Sequence, residues 1–234
     1  MLRRACHYFT TQEKLLWCAS VGAILLSFFL LEDTRYLTLT ASLIGVTSLL
    51  FNAKGYPMGQ ALTVVFGLIY GYISYACAYY GEMITYLGMT APMALLALIS
   101  WLRHPFRGNR AQVQVNRISR REHVFMWLLT AAVTAGFYFI LRALGTANLL
   151  PSTVSVTTSF LAVYLTFRRS PLYALGYAAN DVVLIVLWLL AARADRGYLS
   201  VVVCFAAFLA NDLYGFINWR RMEKMQTQAC QKSA

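Results

Sequence analysis

Eight nearly unbroken apolar runs follow one another along the chain, separated by charges, Pro or Gly. They cover residues 15–31, 36–53, 59–79, 83–102, 123–141, 149–167, 171–192 and 198–219. A bilayer core of about 30 Å needs about 20 apolar residues of helix to cross it. Strands of a membrane barrel would alternate over about 10 residues, whereas these runs are continuously apolar, so helices are the expected form. The first run follows Arg3 and Arg4, as a signal peptide would. No small-x-small cleavage site precedes Glu32 and Asp33, so it reads as a retained helix. The pattern therefore predicts an all-α integral membrane protein of about eight transmembrane helices.

Composition agrees with the pattern: 59% of the 234 residues are hydrophobic and 12% charged, against about 25% charged in soluble domains. A net charge of +11 raises the question of nucleic acid, but the positions of the positive residues answer it. With eight spans, both termini and the connections after spans two, four and six share one side. All but four of the 20 Lys and Arg residues fall there, the exceptions being Arg35, Arg142, Arg193 and Arg196. Positive residues stay cytoplasmic, so the expectation is a multi-pass membrane protein with both termini on the cytoplasmic side and no nucleic-acid partner. The basic segment 103–121 becomes a cytoplasmic loop, a topology determinant within reach of anionic lipid heads. The cysteines Cys6, Cys18, Cys77, Cys204 and Cys230 are scattered with no C-x-x-C pair, which suits neither a disulfide framework nor a zinc site. Cys18, Cys77 and Cys204 read as small apolar fillers.

Comparing the two halves of the chain reveals a repeat. Ile99-Ser100-Trp101-Leu102-Arg103 ends span four and Ile217-Asn218-Trp219-Arg220-Arg221 ends span eight, 118 positions later. Gly81 pairs with Gly197 at 116 and Pro57 with Pro171 at 114. Two three-helix units in the same orientation would then flank span five as a connector. The organisation that follows is an N-terminal segment with an additional helix (1–35), a first bundle (36–102), a basic loop and linker helix (103–148), a second bundle (149–221) and a cytoplasmic tail (222–234). Gly67-x-x-x-Gly71 permits close helix approach, either inside a bundle or between subunits of a homo-oligomer. Pro57 and Pro171 suit first helical turns, and Pro92, inside span four, should kink it.

Polar residues in hydrocarbon are costly, so depth locates chemistry. At about 1.5 Å rise per residue, Asn180, Asn211 and Thr158 all reach the midplane. Asn180-Asp181 and Asn211-Asp212 place four strong polar groups at one depth on neighbouring helices. Tyr173, Tyr177 and Asn180 share one stripe, and Asn211, Tyr214 and Asn218 another. Thr90 supplies a comparable depth in the first unit, while Gln60 lies nearer the cytoplasm and Tyr70, Tyr75 and Tyr86 nearer the outside. Phenols and amides together suit a planar heterocycle bearing hydroxyls. The alternative use of each amide and acid is helix-to-helix hydrogen bonding. Glu82 falls at the external boundary, where a solvated end residue is expected. No phosphate-binding G-x-x-x-x-G-K-[ST] loop, H-E-x-x-H or G-x-S-x-G occurs, so neither nucleotide hydrolysis nor metal or hydrolytic chemistry has a visible constellation. No cofactor is indicated.

The stretches from Phe51 to Arg103 and from Pro171 to Arg221, through Tyr80-Gly81-Glu82-Met83, Pro92-Met93 and Gly215-x-x-x-Trp219-Arg220, resemble the PnuC family of bacterial vitamin transporters. That family is similar in architecture to SWEET sugar transporters, with two three-helix bundles and a linking helix. The resemblance implies uptake of an unphosphorylated vitamin precursor by facilitated diffusion, with a cytoplasmic kinase trapping the product. Nicotinamide riboside is the best-known cargo, and other branches are linked to thiamine, riboflavin or deoxynucleosides. The riboside carriers are marked by W-x-x-W-x-x-x-N, whereas this chain reads Tyr173-x-x-Gly176-x-x-x-Asn180. Asn180 matches, Tyr173 is an aromatic substitute, and Gly176 lacks the second ring, a loss worth on the order of 1 kcal/mol of stacking. Two other classes remain open at this level. One is the substrate-binding subunit of a multi-component importer; the other is a membrane-embedded lipid-modifying enzyme that holds a divalent metal on Asp181 and Asp212.

Overall fold

A computed structural model describes residues 8–31, 35–76, 80–146 and 148–232. Eight long helices form: α1 (Thr11–Leu30), α2 (Tyr36–Ala53), α3 (Met58–Ala76), α4 (Tyr80–Thr85, a π-helical turn Tyr86–Thr90, then Ala91–Arg103), α5 (Arg120–Ala143), α6 (Leu149–Phe167), α7 (Tyr173–Ala191) and α8 (Leu199–Gln231). All but α3 are long and apolar enough by composition to cross a membrane. Arg3, Arg4, Cys6, Glu32, Asp33 and Cys77, named above, lie outside the described residues. Cys204 is buried among apolar side chains, and Cys18 is exposed.

Local signals set the helix ends. Thr10 caps α1: its Oγ1 accepts from the Glu13 amide, and Glu13 Oε2 accepts from the Thr10 amide at 2.7 Å, a reciprocal capping box. Ser119 caps α5 through its hydroxyl, which accepts from the Glu122 amide. The kink expected at Pro92 takes the form of the π-turn just ahead of it, which leaves Pro92 in the first turn of the following segment. There its missing N–H costs little.

Six helices close a ring, α2 to α3 to α4 to α6 to α7 to α8 and back to α2. The first three form one bundle and the last three the other, joined by α5, which packs outside the ring on α6. α1 packs outside on α2 and α8. Gly67 and Gly71 are used inside the first bundle: a Cβ at either would press on Ala91 or Leu87 of α4. Outward faces of α1 and α5 carry exposed Leu15, Phe29, Phe125, Trp127 and Phe139, as lipid contact requires.

At one end of the ring the two bundles are stitched by a pair of indoles. Trp101 Nε1 donates to the Thr166 carbonyl at the end of α6 (3.0 Å), and Trp219 Nε1 to the Asn52 carbonyl at the end of α2 (2.8 Å). The two rings lie 5.4 Å apart and are fully buried. Each bundle thus donates to the other through the same residue type.

The basic segment, expected as a loop, is ordered beside these indoles. β1 (Pro105–Phe106) and β2 (Asn109–Val113) form an antiparallel hairpin. Arg107 and Gly108 turn it at φ of 49° and 76°, the left-handed pair that two-residue hairpins prefer. The Val113 amide donates to the Gly55 carbonyl, while Gln226 of α8 brackets the strand end by donating to the Val113 carbonyl and accepting from the Val115 amide. Arg117 pairs with Glu223 at 2.8 Å. Where the sequence suggested a separate tail beyond Arg221, α8 runs on to Gln231 and supplies both partners. Tyr8 Oη donates to the Ala111 carbonyl; burial, with Tyr56 and Glu13 nearby, pushes this phenol up to about 12, so it stays a neutral donor.

Candidate functional site

Between the two bundles lies a cavity of about 60 Å³. All six ring helices line it, and α1 and α5 do not. α7 contributes Tyr177, Asn180 and Asp181, and α8 contributes Asp212. Ser48 and Asn52 come from α2, Thr63 from α3, Thr90 from α4 and Ser159 from α6. Phe66, Tyr86, Phe205 and Phe208 form an aromatic wall in which Phe66 lies 5.8 Å from Phe208 and 5.9 Å from Tyr86.

Asn180 is the best-anchored polar group. Its Oδ1 accepts from three hydroxyls of α6: Ser155 at 3.2 Å, Thr158 at 2.9 Å and Ser159 at 3.0 Å. With the oxygen engaged, the amide nitrogen is turned toward the cavity, where it offers donors. Thr158 therefore acts through Asn180. Asp181 and Asp212 lie within hydrogen-bonding reach of one another, and Asp181 Oδ2 is buried with no hydrogen-bond partner. Among the described residues no Lys or Arg lines the cavity, which there holds two acids and no base.

The structure separates residues that the sequence grouped. Tyr177, Asn180, Asp181, Asp212 and Thr90 meet around the cavity. Tyr173 does not line it; one helical turn back, its ring lies 4.8 Å from Trp219 and 6.5 Å from Trp101, beneath the cavity floor. Asn211 and Tyr214 face α1 instead. Asn211 Nδ2 donates to Ser20 Oγ at 2.8 Å, and Tyr214 Oη donates to Glu13 Oε1 at 3.0 Å. One residue along a helix is a turn of about 100°, which suffices to send Asn211 outward and Asp212 inward.

Sequence reasoning passed over Asn52, because it sits at a helix end where polar residues are ordinary. In the fold it accepts from Gln60 Nε2 at 2.8 Å and donates to Thr63 Oγ1 at 3.2 Å, forming a polar floor in the first bundle. The phenylalanines were missed because they resemble core. A signal existed for one of them: Phe66 precedes Asn180 by 114 positions, the Pro57-to-Pro171 spacing.

Gly176 explains the missing second ring of the Tyr173-x-x-Gly176-x-x-x-Asn180 stretch. It faces the backbone of α6, and a Cβ there would lie 2.9 Å from Ala162 Cα. An added side chain would have to push two helices apart, which typically costs 1–3 kcal/mol. Gly176→Ala should therefore lower the thermal unfolding midpoint of the purified protein, and Gly176→Trp should fail to yield monodisperse protein. A Gly176→Trp protein as stable as the parent would refute this close packing.

Comparison with known proteins places this architecture. The chain resembles the nicotinamide riboside transporter PnuC of Neisseria mucosa, 26% identical over 220 residues that span 92% of this chain and 83% of the relative. It also resembles that of Haemophilus influenzae, 22% identical over 81% of each chain. The crystal structure of the vitamin B3 transporter PnuC superposes with a TM-score of 0.80, covering 93% of this chain and 94% of that one at 23% identity, a likeness of fold. Both relatives named are transporters. The family model described as nicotinamide mononucleotide transporter matches residues 35–221, from the start of α2 through both bundles, and the chain belongs to that membrane transporter family.

Proposed function

We propose that this protein carries an unphosphorylated, nicotinamide riboside-like solute into the bacterial cytoplasm by facilitated diffusion through the cavity between the bundles. The observation that carries the reading is the lining of that cavity: a donor amide on Asn180, two acids and an aromatic wall, with no cationic side chain among the described residues. A carboxamide or hydroxyl oxygen would accept from Asn180. The heterocycle would stack within the wall of Phe66, Tyr86, Phe205 and Phe208, which takes over the role of the ring absent at Gly176. Asp181 and Asp212 would take solute hydroxyls or sit beside a cationic ring.

The family name mentions a mononucleotide and the relatives' names a riboside. The electrostatics favour the riboside here, because a phosphate beside two acids would lose hydration with no Arg or Lys in return. The same asymmetry supports metabolic trapping: a cytoplasmic kinase would turn the cargo into a phosphate ester that this cavity does not take back. The basic face, which carries the hairpin, would be cytoplasmic by the positive-inside rule. Alternating access would come from rocking of the two bundles about the central site, with the Trp101 and Trp219 contacts closing the cytoplasmic end.

Purified protein reconstituted alone into liposomes should accumulate radiolabelled nicotinamide riboside down its gradient, without ATP or an added ion gradient. The mononucleotide should neither enter nor compete. Flux that requires a separate ATPase would replace the uniporter by an importer subunit. Tight binding of the mononucleotide would overturn the proposed basis of selectivity.

A further inference from the structure

Among the described residues, α2, α5 and α6 end in the same backbone arrangement, in which the two amides past the last turn return to carbonyls inside it. At the end of α2 the Gly55 amide donates to the Asn52 carbonyl and the Tyr56 amide to that of Phe51. Gly145 and Thr146 close α5 in this way onto Arg142 and Leu141, and Arg169 and Ser170 close α6 onto Thr166 and Leu165. The residue that turns the chain has positive φ each time: 67° at Gly55, 64° at Gly145 and 57° at Arg169. Glycine takes this conformation freely, whereas a side chain is strained by it. Gly55 and Arg169 are also repeat partners, 114 positions apart like Pro57 and Pro171.

The second bundle thus carries a guanidinium where the first has glycine, and no group among the described residues answers its charge. Arg169 is half-buried, its Nε is fully buried, and its side chain makes no hydrogen bond or ion pair there. Burial, with Arg168 nearby, works against the charge, and a buried donor without a partner is costly. Arg168, by contrast, is paired: its Nη2 donates to Glu122 Oε2 at 3.0 Å, which engages the acid at the start of α5. Asn116 holds the segment ahead of α5 on this turn by donating to the Arg168 and Arg169 carbonyls. Arg120 and Arg121, exposed in the first turn of α5, add further positive charge.

We propose that this turn, where α5, α6 and α7 meet, binds the headgroup phosphate of an anionic phospholipid, with Arg169 as its principal contact. The forked donors of a guanidinium match phosphate oxygens. The turn joins two membrane spans, which sets it at the level of the headgroups. On either side of α6 the lipid-facing surface is apolar: Phe125, Trp127 and Leu128 are exposed on α5, and Leu175 and Val182 on α7. A soluble phosphate ester would meet the same arginines, but only a lipid has acyl chains to lay along those flanking faces.

Mass-resolved titration of the purified full-length protein in detergent, with phosphatidylglycerol or phosphatidylcholine, reads the affinity for the first bound lipid. Phosphatidylglycerol should bind about ten-fold tighter, the scale of one charge-assisted hydrogen bond. Arg169→Gly should erase that preference. Because it copies Gly55 and relieves the turn, this variant should unfold at the temperature of the parent or above it. Arg110→Gln removes an exposed arginine of the hairpin and should leave the preference intact. Equal binding of the two lipids, a preference that survives Arg169→Gly, or an equal loss in Arg110→Gln would overturn the proposal. So would an Arg169→Gly protein that melts well below the parent, which would mark the guanidinium as packing, or displacement of the lipid by inorganic phosphate, which would mark a site for a soluble anion.

Discussion

Asn180→Ala should weaken solute binding about 30-fold, corresponding to about 2 kcal/mol, while the protein still folds. The loss exceeds one ordinary hydrogen bond because the amide is preorganised: three hydroxyls of α6 hold its oxygen, so its donors meet the solute without an ordering cost. Stability should suffer less than affinity. Thr158 Oγ1 already lies 3.1 Å from the Val154 carbonyl and 3.0 Å from that of Ser155, and it can return its proton to the helix when the amide is gone. Calorimetric titration of purified protein with nicotinamide riboside, alongside uptake in liposomes, measures the effect. Unchanged affinity and uptake would mean that the solute site lies elsewhere in the ring.

Glu13→Ala should cause the largest loss of stability of any side-chain truncation considered. Glu13 is 1% exposed, and its carboxylate holds Lys54 Nζ at 3.1 Å, Tyr214 Oη at 3.0 Å and the Thr10 amide at 2.7 Å. These contacts join α1 to the end of α2 and to α8. Removing one partner of a buried pair leaves the other charge uncompensated, at 3–5 kcal/mol in buried sites. Lys54 keeps 17% of its side-chain surface in contact with solvent, which places the expected cost near the lower end, about 3 kcal/mol. That corresponds to a fall in thermal midpoint on the order of 6–12 °C for a chain of this size. Glu13→Gln, which keeps the hydrogen-bonding shape and loses the charge, should fall between. A midpoint for Glu13→Ala within 1 °C of the parent would show that α1 is held without the Glu13 contacts.

Reading depth from the sequence groups residues that the fold brings to one cavity with residues that it places elsewhere, for one reason. Counting residues along a helix gives height in the bilayer, and Asn180, Asp181, Asp212 and Thr90 do lie at the height of the cavity. Height leaves the azimuth open until the neighbours are known. Asn211 was grouped with Asp212 on depth, yet it serves α1 through Ser20. Tyr173 was grouped with Tyr177 on one stripe, yet a single turn of helix separates a cavity wall from an indole cluster. Glu82 illustrates the converse: a residue near a membrane boundary is ordinarily solvated, and only the approach of α6 and α5 encloses its carboxylate.

Eight helices, their approximate bounds, the sorting of positive charge to one side and the midplane position of the paired Asn and Asp groups follow from the chain alone, because bilayer thickness and the cost of burying charge act on linear stretches. The closure of six helices into a ring, the aromatic wall opposite Asn180, the engagement of the Asn180 oxygen by three hydroxyls and the role of Gly176 in bringing α7 against α6 were decided only in three dimensions. Each depends on which helix face meets which neighbour, and rotation about a helix axis is fixed by packing between segments far apart in sequence.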